Sequence, residues 1–138
     1  SDSMQYRLGL ICPEASYAVS HPVSAGLYKL SIVYGMNRDG LPAYGNLYRG
    51  IKNTVVKNPS SKLLIGDATD WLIANTRVSK PTYYDVYGER DNPTGTTDNN
   101  IVAYRHSGRG NFVYYDGHVQ TNEWRSITDM NTYWDATK

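Results

Sequence analysis

Cysteine and phenylalanine are nearly absent from this chain, which has one of each in 138 residues. The single cysteine, Cys12, excludes an internal disulfide framework and a four-cysteine zinc site, but it does not identify the redox compartment. An excess of charge of one sign is also lacking, because fourteen Lys and Arg residues nearly balance thirteen Asp and Glu residues. The basic residues are scattered along the sequence, so neither nucleic acid nor an anionic membrane surface is expected as a partner.

Long apolar runs and known catalytic motifs are missing as well. No apolar run of about 18 residues occurs, and the first residues lack the charged-then-apolar pattern of a signal peptide. The sequence contains no GxGxxG after a strand, no Walker-type loop, no HExxH and no GxSxG. Cys12 has no partner near it in the sequence and is expected to be a buried, inert thiol. Motifs therefore give catalysis no support, and we expect a protein that is not an enzyme.

What the chain does contain is a set of short strand patterns. Thirteen tyrosines and many Asn, Thr, Ser and Gly residues indicate a sheet-rich domain with polar loops. Residues 28–36 are rich in strand-forming side chains, and residues 62–68 form a short apolar run, as expected of a central strand. Near the end of the chain, Ser126 or Thr128 is expected to cap a short helix. These patterns predict one soluble α+β domain, mainly antiparallel, over residues 1–138.

Three further strand patterns near the C-terminus predict an antiparallel meander. They cover residues 101–106, 111–115 and 118–124. Asp116-Gly117 separates the second from the third, and Asp-Gly between alternating apolar runs favours a type I′ turn. This turn would place His118 opposite Tyr115, because the side chains of directly paired residues share one face. The face toward the core would then hold Phe112, Tyr114 and Val119.

Two histidines and an aspartate lie close together in this stretch. His106, Asp116 and His118 suggest the hypothesis of a metal-dependent hydrolase or an acid/base pair. In the predicted meander, however, His106 and Asp116 lie at opposite ends of the middle strand, about 15 Å apart at roughly 3.3 Å per residue. They would then be too far apart to share a metal ion or a proton. The favoured interpretation is structural: Asp116 and Gly117 make the turn, and the histidines form local hydrogen bonds.

An acidic loop provides one ligand hypothesis. Residues 90–100 are almost entirely turn-forming and predict a surface loop. Calcium prefers a flexible cage of carboxylate and carbonyl oxygens, although the spacing here does not match an EF-hand loop. Acidic residues in such loops are more often simply solvated. The candidate calcium ligands are Asp85, Glu89, Asp91 and Asp98.

An aromatic surface provides another ligand hypothesis. Flat rings with a polar edge suit sugars or a partner protein, so the chain has an alternative interpretation as a secreted carbohydrate-binding or other ligand-binding module. The competing interpretation is that the same rings cover the edge of the core. The rings concerned are Trp71, Tyr83, Tyr84, Tyr87 and Trp134.

The spacing of His106, nine residues and Asp116-Gly117 resembles the signature of the prepilin-type processing-associated H-X9-DG domain family. The closing block RHSGRGNFVYYDGHV, residues 105–119, is similar to the family's over its whole length and is the most specific element. Three upstream elements follow in the family's order. They are LICPEA at 10–15, similar to its Cys-Pro element, SIVYGMN at 31–37, similar to its Y-G-x-N strand, and SKLLIGDAT at 61–69, similar to its strand ending in Asp.

The resemblance implies a pseudopilin, in which a prepilin cleavage segment and a long apolar helix precede a mostly β head. It further implies the periplasmic or extracellular face of a bacterial cell envelope, with other pseudopilin or secretion-machinery subunits of a type II secretion or type IV pilus-like system as partners. This sequence lacks the cleavage segment and the helix, so membrane anchoring is expected only through a preceding segment of a parent protein.

The resemblance carries over no catalytic residues and no cofactor. His106, Asp116, Gly117 and His118 are expected to be structural members of the family motif. Some major pseudopilins bind calcium in a C-terminal loop, which supports the calcium hypothesis by analogy.

Overall fold

A five-stranded mixed sheet forms the centre of the protein. The computed structural model describes residues 5–6, 8–22, 24, 26–29, 33–40, 43–44, 47–48, 51–79 and 100–138. The strands in these residues are β1 (Gln5–Tyr6), β2 (Tyr28–Lys29), β3 (Tyr34–Asn37), β4 (Ala43–Tyr44), β5 (Leu47–Tyr48), β6 (Leu63–Asp67), β7 (Leu72–Ile73), β8 (Gly110–Tyr114) and β9 (Val119–Asn122). The central sheet has the order β7-β3-β6-β8-β9, and β1 pairs with β2 and β4 with β5. Within the central sheet β3 and β7 are parallel and the other neighbours antiparallel.

The helices of the described residues are all short. One α-helix, α1, spans Ser16–Ser20, and one π-helical turn spans Met130–Trp134. The 3₁₀ turns are Leu8–Leu10, Asn53–Val55, Asn75–Arg77 and Trp124–Ile127. Among these residues no helix has both the length and the apolar character needed to cross a membrane. The predicted α+β class with a dominant sheet therefore holds at this coarse level.

The core lies against β6, the predicted central strand, which is indeed the middle strand of the sheet. Leu63 on β6 and Phe112 on β8 are buried with Ile73 from β7 in the main apolar cluster. A Cβ atom on Gly66 would lie only 2.5 Å from Cδ1 of Phe112. The aromatic ring therefore occupies the space that a side chain on Gly66 would need, and this explains why a glycine lies inside a central strand.

The predicted strand over residues 101–106 is wrong. This segment makes isolated bridges, with Val102 facing Ala68 and His106 facing Arg109, although residues 101–104 are all buried. Both edges of β6 are already taken, by β3 and β8. The segment can therefore pair only with residues beyond the end of β6, and the predicted meander is reduced to the hairpin of β8 and β9.

The Asp116-Gly117 turn of that hairpin differs from the predicted type I′ turn. The Gly117 N–H donates to the Tyr114 carbonyl at 2.9 Å, and the Tyr114 N–H donates to the His118 carbonyl at 3.0 Å. Gly117 has a φ of +92°, whereas Asp116 is not among the described residues with positive φ. The loop therefore has three residues, with a glycine in the left-handed region at its last position, which is the alternative hairpin geometry to a two-residue turn.

The extra loop residue moves the strand register by one position. His118 pairs with Tyr114 rather than with the predicted Tyr115, and Val113 pairs with Val119. Because a one-residue slip turns a side chain to the other face, Val119 lies outside the core and is 66% exposed. The prediction for Val119 is wrong, while Phe112 and Tyr114 are buried as predicted.

Replacing Gly117 by alanine is expected to destabilise the protein by about 1 kcal/mol, because an L side chain is strained at positive φ even where space is open. No heavy atom lies within 4 Å of the position that its Cβ would take, so a steric clash does not contribute. Chemical denaturation would measure the difference. Gly9→Ala is the matched control, since Gly9 also has open space but no left-handed φ. Equal effects at the two positions would contradict the strain argument.

The C-terminal helical turn begins differently from the prediction. Asp129, rather than Ser126 or Thr128, is the cap, and its Oδ1 accepts a hydrogen bond from the Thr132 N–H at 2.7 Å. The hydroxyls of Ser126 and Thr128 instead donate to the carbonyls of Glu123 and Arg125. Hydrogen bonds from the side chain and the backbone N–H of Thr132 lower the pKa of Asp129, because they favour the ionised carboxylate.

Candidate functional site

Three side chains that can ligate a metal or transfer a proton meet where β6 ends and β8 begins. The Nε2 atom of His106 lies 3.1 Å from Oδ2 of Asp67 and 3.5 Å from Sγ of Cys12. One ligand atom from each residue lies within 4.8 Å of the other two. Among the described residues this is the one group of three His, Cys, Asp or Glu side chains that is arranged to hold a metal ion.

A tight turn positions His106. Its N–H and carbonyl exchange hydrogen bonds with the carbonyl and N–H of Arg109, at 3.1 and 3.0 Å. Ser107 and Gly108 between them both have positive φ, as a type I′ turn requires. His106 therefore faces Arg109 across this turn. The turn geometry that the sequence predicted for Asp116-Gly117 is found at Ser107-Gly108.

Asp67 is held at the C-terminal end of β6 by groups from two directions. Its Oδ2 accepts from the Asn111 N–H at 2.7 Å, and its Oδ1 lies 3.9 Å from the Arg105 guanidinium. The side chains of Asp67 and Arg105 are both only 1% exposed. Arg105 also donates to the backbone carbonyls of Val33 and Ala68, at 3.0 and 2.5 Å. The carboxylate is thus fixed in orientation, with one oxygen toward Arg105 and the other toward His106.

Cys12 comes from the opposite end of the chain. It lies between the 3₁₀ turn Leu8–Leu10 and α1, and the Ala15 N–H donates to its carbonyl at 3.0 Å. The residue is buried as predicted, and this burial raises the pKa of its thiol. It is not isolated, however, since His106 is its neighbour in space.

A cavity of about 570 Å³ opens beside the three side chains. Cys12 and His106 are part of its wall, so the group can be reached from the cavity. The side chain of His106 is 27% exposed, in contrast to Asp67 behind it. The other lining residues are Gly9, Leu10, Ile11, Pro13, Tyr34 and Asn111.

The geometry does not fit a cysteine hydrolase. In such a triad, one imidazole nitrogen takes the proton of the nucleophile and the other donates to the orienting carboxylate. Here the same nitrogen, Nε2 of His106, faces both Sγ of Cys12 and Oδ2 of Asp67. A thiol with a raised pKa is also a poor nucleophile. The three atoms instead converge on a common point.

Asp116 and His118, the other members of the predicted family motif, form a separate pair. Asp116 Oδ1 lies 2.6 Å from Nδ1 of His118 and accepts from the His118 N–H at 3.1 Å. These hydrogen bonds lower the pKa of Asp116, the one from the backbone N–H most. The imidazole of His118 stacks on the Tyr114 ring at a centroid distance of 4.3 Å. The pair follows the C-terminal end of β8, whereas His106 precedes its N-terminal end. The three residues of the hydrolase hypothesis therefore do not form one site.

The two surface hypotheses are only partly covered by the described residues. All four candidate calcium ligands, Asp85, Glu89, Asp91 and Asp98, lie outside them, as do Tyr83, Tyr84 and Tyr87. Of the remaining rings, Trp71 is 51% exposed, but Trp134 is fully buried and its Nε1 donates to the Ile127 carbonyl at 2.6 Å. Assigning Trp134 to a ligand surface is therefore wrong, because the indole packs in the main core.

Sequence reasoning did not connect Cys12, Asp67 and His106, since 94 residues separate the first from the last. The resemblance to the H-X9-DG family did contain a signal. Cys12 lies in the element at 10–15, Asp67 in the element at 61–69 and His106 in the closing block at 105–119. Comparisons with known proteins provide no further guide: no protein-family model, no curated protein and no solved structure matches the chain.

Proposed function

We propose that this chain is the head domain of a pseudopilin-like protein, with a structural and interaction role at the periplasmic or extracellular face of a bacterial cell envelope. The observation that carries the proposal is the convergence of all four sequence elements of the resemblance. Cys12, Asp67 and His106 come from three of them and meet at one point, and Tyr34 of the fourth lines the adjoining cavity. Elements that are scattered along the sequence thus form a single structural unit.

The Y-G-x-N element has a structural explanation of the same kind. A Cβ on Gly35 would lie 2.8 Å from the Asp70 carbonyl oxygen, so the glycine allows the chain after β6 to cross close to β3. Asn37 is buried and connects β3 to the rest of the core by donating to the carbonyls of Leu63 and Trp134, while its Oδ1 accepts from two N–H groups in the turn that follows β3. Both residues serve the fold, which supports a scaffold role for the motif.

The outer edge of the sheet supports an interaction role. Within the described part of the chain, β9 pairs with β8 on one side and has no strand on the other. Val119, Gln120 and Thr121 on this strand are exposed. An open edge strand can add a strand from another chain, which is one way in which subunits assemble. Other pseudopilin or secretion-machinery subunits are the partners that the proposal names.

The coding sequence upstream of Ser1 provides the decisive test. We expect it to encode a prepilin cleavage segment followed by an apolar helix of about 20 residues, long enough to span a bilayer. Sequencing the complete gene measures this directly. An upstream region that is hydrophilic, or a start codon next to Ser1, would contradict the pseudopilin proposal.

A further inference from the structure

We propose that Cys12, Asp67 and His106 form a binding site for a single divalent transition-metal ion of the Zn²⁺ class. This inference does not depend on the proposed function, because it concerns the chemistry of three side chains in any setting. The proposal rests on three possible metal ligands of different chemical type, from distant parts of the chain. One ligand atom of each lies within 4.8 Å of the other two.

The distances suit tetrahedral coordination. Metal–ligand bonds of about 2.0–2.3 Å in a tetrahedron place neighbouring ligand atoms roughly 3.3–3.8 Å apart. The separation of Nε2 of His106 from Sγ of Cys12 is 3.5 Å and from Oδ2 of Asp67 is 3.1 Å. No two of the three ligand atoms are more than 4.8 Å apart. Binding therefore needs only small shifts of the three side chains, which would move Nε2 of His106 slightly away from Oδ2 of Asp67.

The donor types select the class of metal. Thiolate, imidazole and carboxylate together are typical ligands of Zn²⁺ and its neighbours, whereas Ca²⁺ and Mg²⁺ prefer oxygen donors alone. Asp67 can ligate without giving up its hydrogen bond from the Asn111 N–H, because each carboxylate oxygen has two lone pairs. That hydrogen bond and the nearby Arg105 guanidinium fix the orientation of the carboxylate. Metal ligands in proteins are commonly held in this way by residues that do not touch the metal themselves.

The two anionic ligands neutralise the ion. A divalent ion with an ionised Cys12 and Asp67 forms a neutral unit, and with Arg105 beside it the buried group has one net positive charge. Without an ion, Asp67 and Arg105 neutralise each other and Cys12 is a protonated thiol. Binding of the ion must release the thiol proton, and the metal–thiolate bond replaces the S–H bond.

The position of the site defines what the ion would do. Cys12 belongs to the N-terminal segment, Asp67 to β6 and His106 to the turn before β8. One ion would therefore join three segments that are far apart in sequence. The fourth coordination position faces the cavity that Cys12 and His106 line, where water or a ligand of a partner can bind.

Cobalt titration of the full chain tests the site. Co²⁺ replaces Zn²⁺ in such sites and gives a thiolate-to-metal absorption band in the near ultraviolet that appears only if Cys12 is a ligand. In chelator-free, reducing buffer we expect this band to saturate at one equivalent and to disappear on adding Zn²⁺. We also expect Zn²⁺ to raise the melting midpoint, since a ligand that binds the native state stabilises it. Ca²⁺ should do neither.

Two variants and a matched control identify the ligands. Cys12→Ser should abolish the band, and His106→Gln should weaken binding by more than ~100-fold, beyond the ~10–100-fold that is typical when a residue hydrogen-bonded to a metal ligand is changed. His118→Gln is the control, because His118 is a surface histidine paired with Asp116. Circular dichroism of each variant checks its fold. If the folded wild-type protein shows no band, or if His118→Gln weakens binding as much as His106→Gln, the site is refuted, and this outcome leaves the pseudopilin proposal intact.

Discussion

Asp67→Asn is expected to reduce the free energy of unfolding by about 3–5 kcal/mol, the cost of leaving one partner of a buried ion pair uncompensated. The substitution keeps the shape of the side chain, and its oxygen can still accept from the Asn111 N–H. It removes the negative charge that faces Arg105, whose side chain is 1% exposed. Denaturant unfolding in the presence of a chelator measures this effect separately from any metal binding.

A double-mutant cycle with Arg105→Met isolates the pair. Removing both charges should recover part of the loss, because a methionine has no charge that needs compensation. The matched control is the exposed pair of Arg109 and Glu123, which are 3.1 Å apart with side chains 55% and 60% exposed. Glu123→Gln should change stability by less than about 1 kcal/mol. A cost for Asp67→Asn as small as that of the control would show that the buried pair contributes little.

Asn37→Asp is expected to destabilise the protein by at least about 3 kcal/mol, because a buried carboxylate would face two carbonyl oxygens with no proton to donate. Asn37 is 1% exposed, and its Nδ2 donates to the carbonyls of Leu63 and Trp134 at 2.8 and 2.9 Å. Its Oδ1 accepts from the N–H groups of Asp39 and Gly40. Thermal and denaturant unfolding of the variant measure the loss.

Comparing the stability loss of Asn37→Asp with that of two other variants tests the proposed cause. Asn37→Ala loses all four hydrogen bonds, whereas Asn37→Asp keeps the two that Oδ1 accepts but sets a negative charge against two carbonyl oxygens. Because the buried, repelled charge is the larger penalty, Asn37→Ala should cost less than Asn37→Asp. Burial raises the pKa of a new carboxyl group in the folded state, and the penalty should therefore shrink as the pH falls. Asn131→Asp, at an exposed position, is the control and should be nearly neutral. An aspartate tolerated equally well at both positions would contradict this account of Asn37.

The sequence predicted those parts of the fold that depend on local pattern. The apolar run at 62–68 contains β6, and Asp116-Gly117 lies in the turn of the β8–β9 hairpin. Whether residues 101–106 form a strand depends on which edges of β6 are occupied, and no local pattern records that. The type I′ turn lies at Ser107-Gly108 and not at Asp116-Gly117, because Ser107 adopts a positive φ, which is uncommon outside Gly, Asn and Asp, whereas Asp116 does not.

The site could not be predicted from spacing. His106 and Asp116 are close in sequence and suggested a pair, yet a strand separates them, and the partners of His106 are Cys12 and Asp67. Those contacts exist because the N-terminal segment, the C-terminal end of β6 and the Ser107-Gly108 turn before β8 meet at one end of the inner strands. Only long-range packing brings the three segments together, so knowing any one of them gives no information about the other two.

The burial of Trp134 has a consequence for how the chain is made. Its indole completes the main core, and its carbonyl accepts a hydrogen bond from Asn37, which lies 97 positions earlier. Folding during synthesis proceeds from the N-terminus, and domains generally fold as units. The main core therefore cannot be completed until the ribosome has released residue 134. A chain that stops after β9 would lack Ile127 and Trp134, two members of the main core, and would be a substrate for chaperones and proteases rather than a shorter working domain.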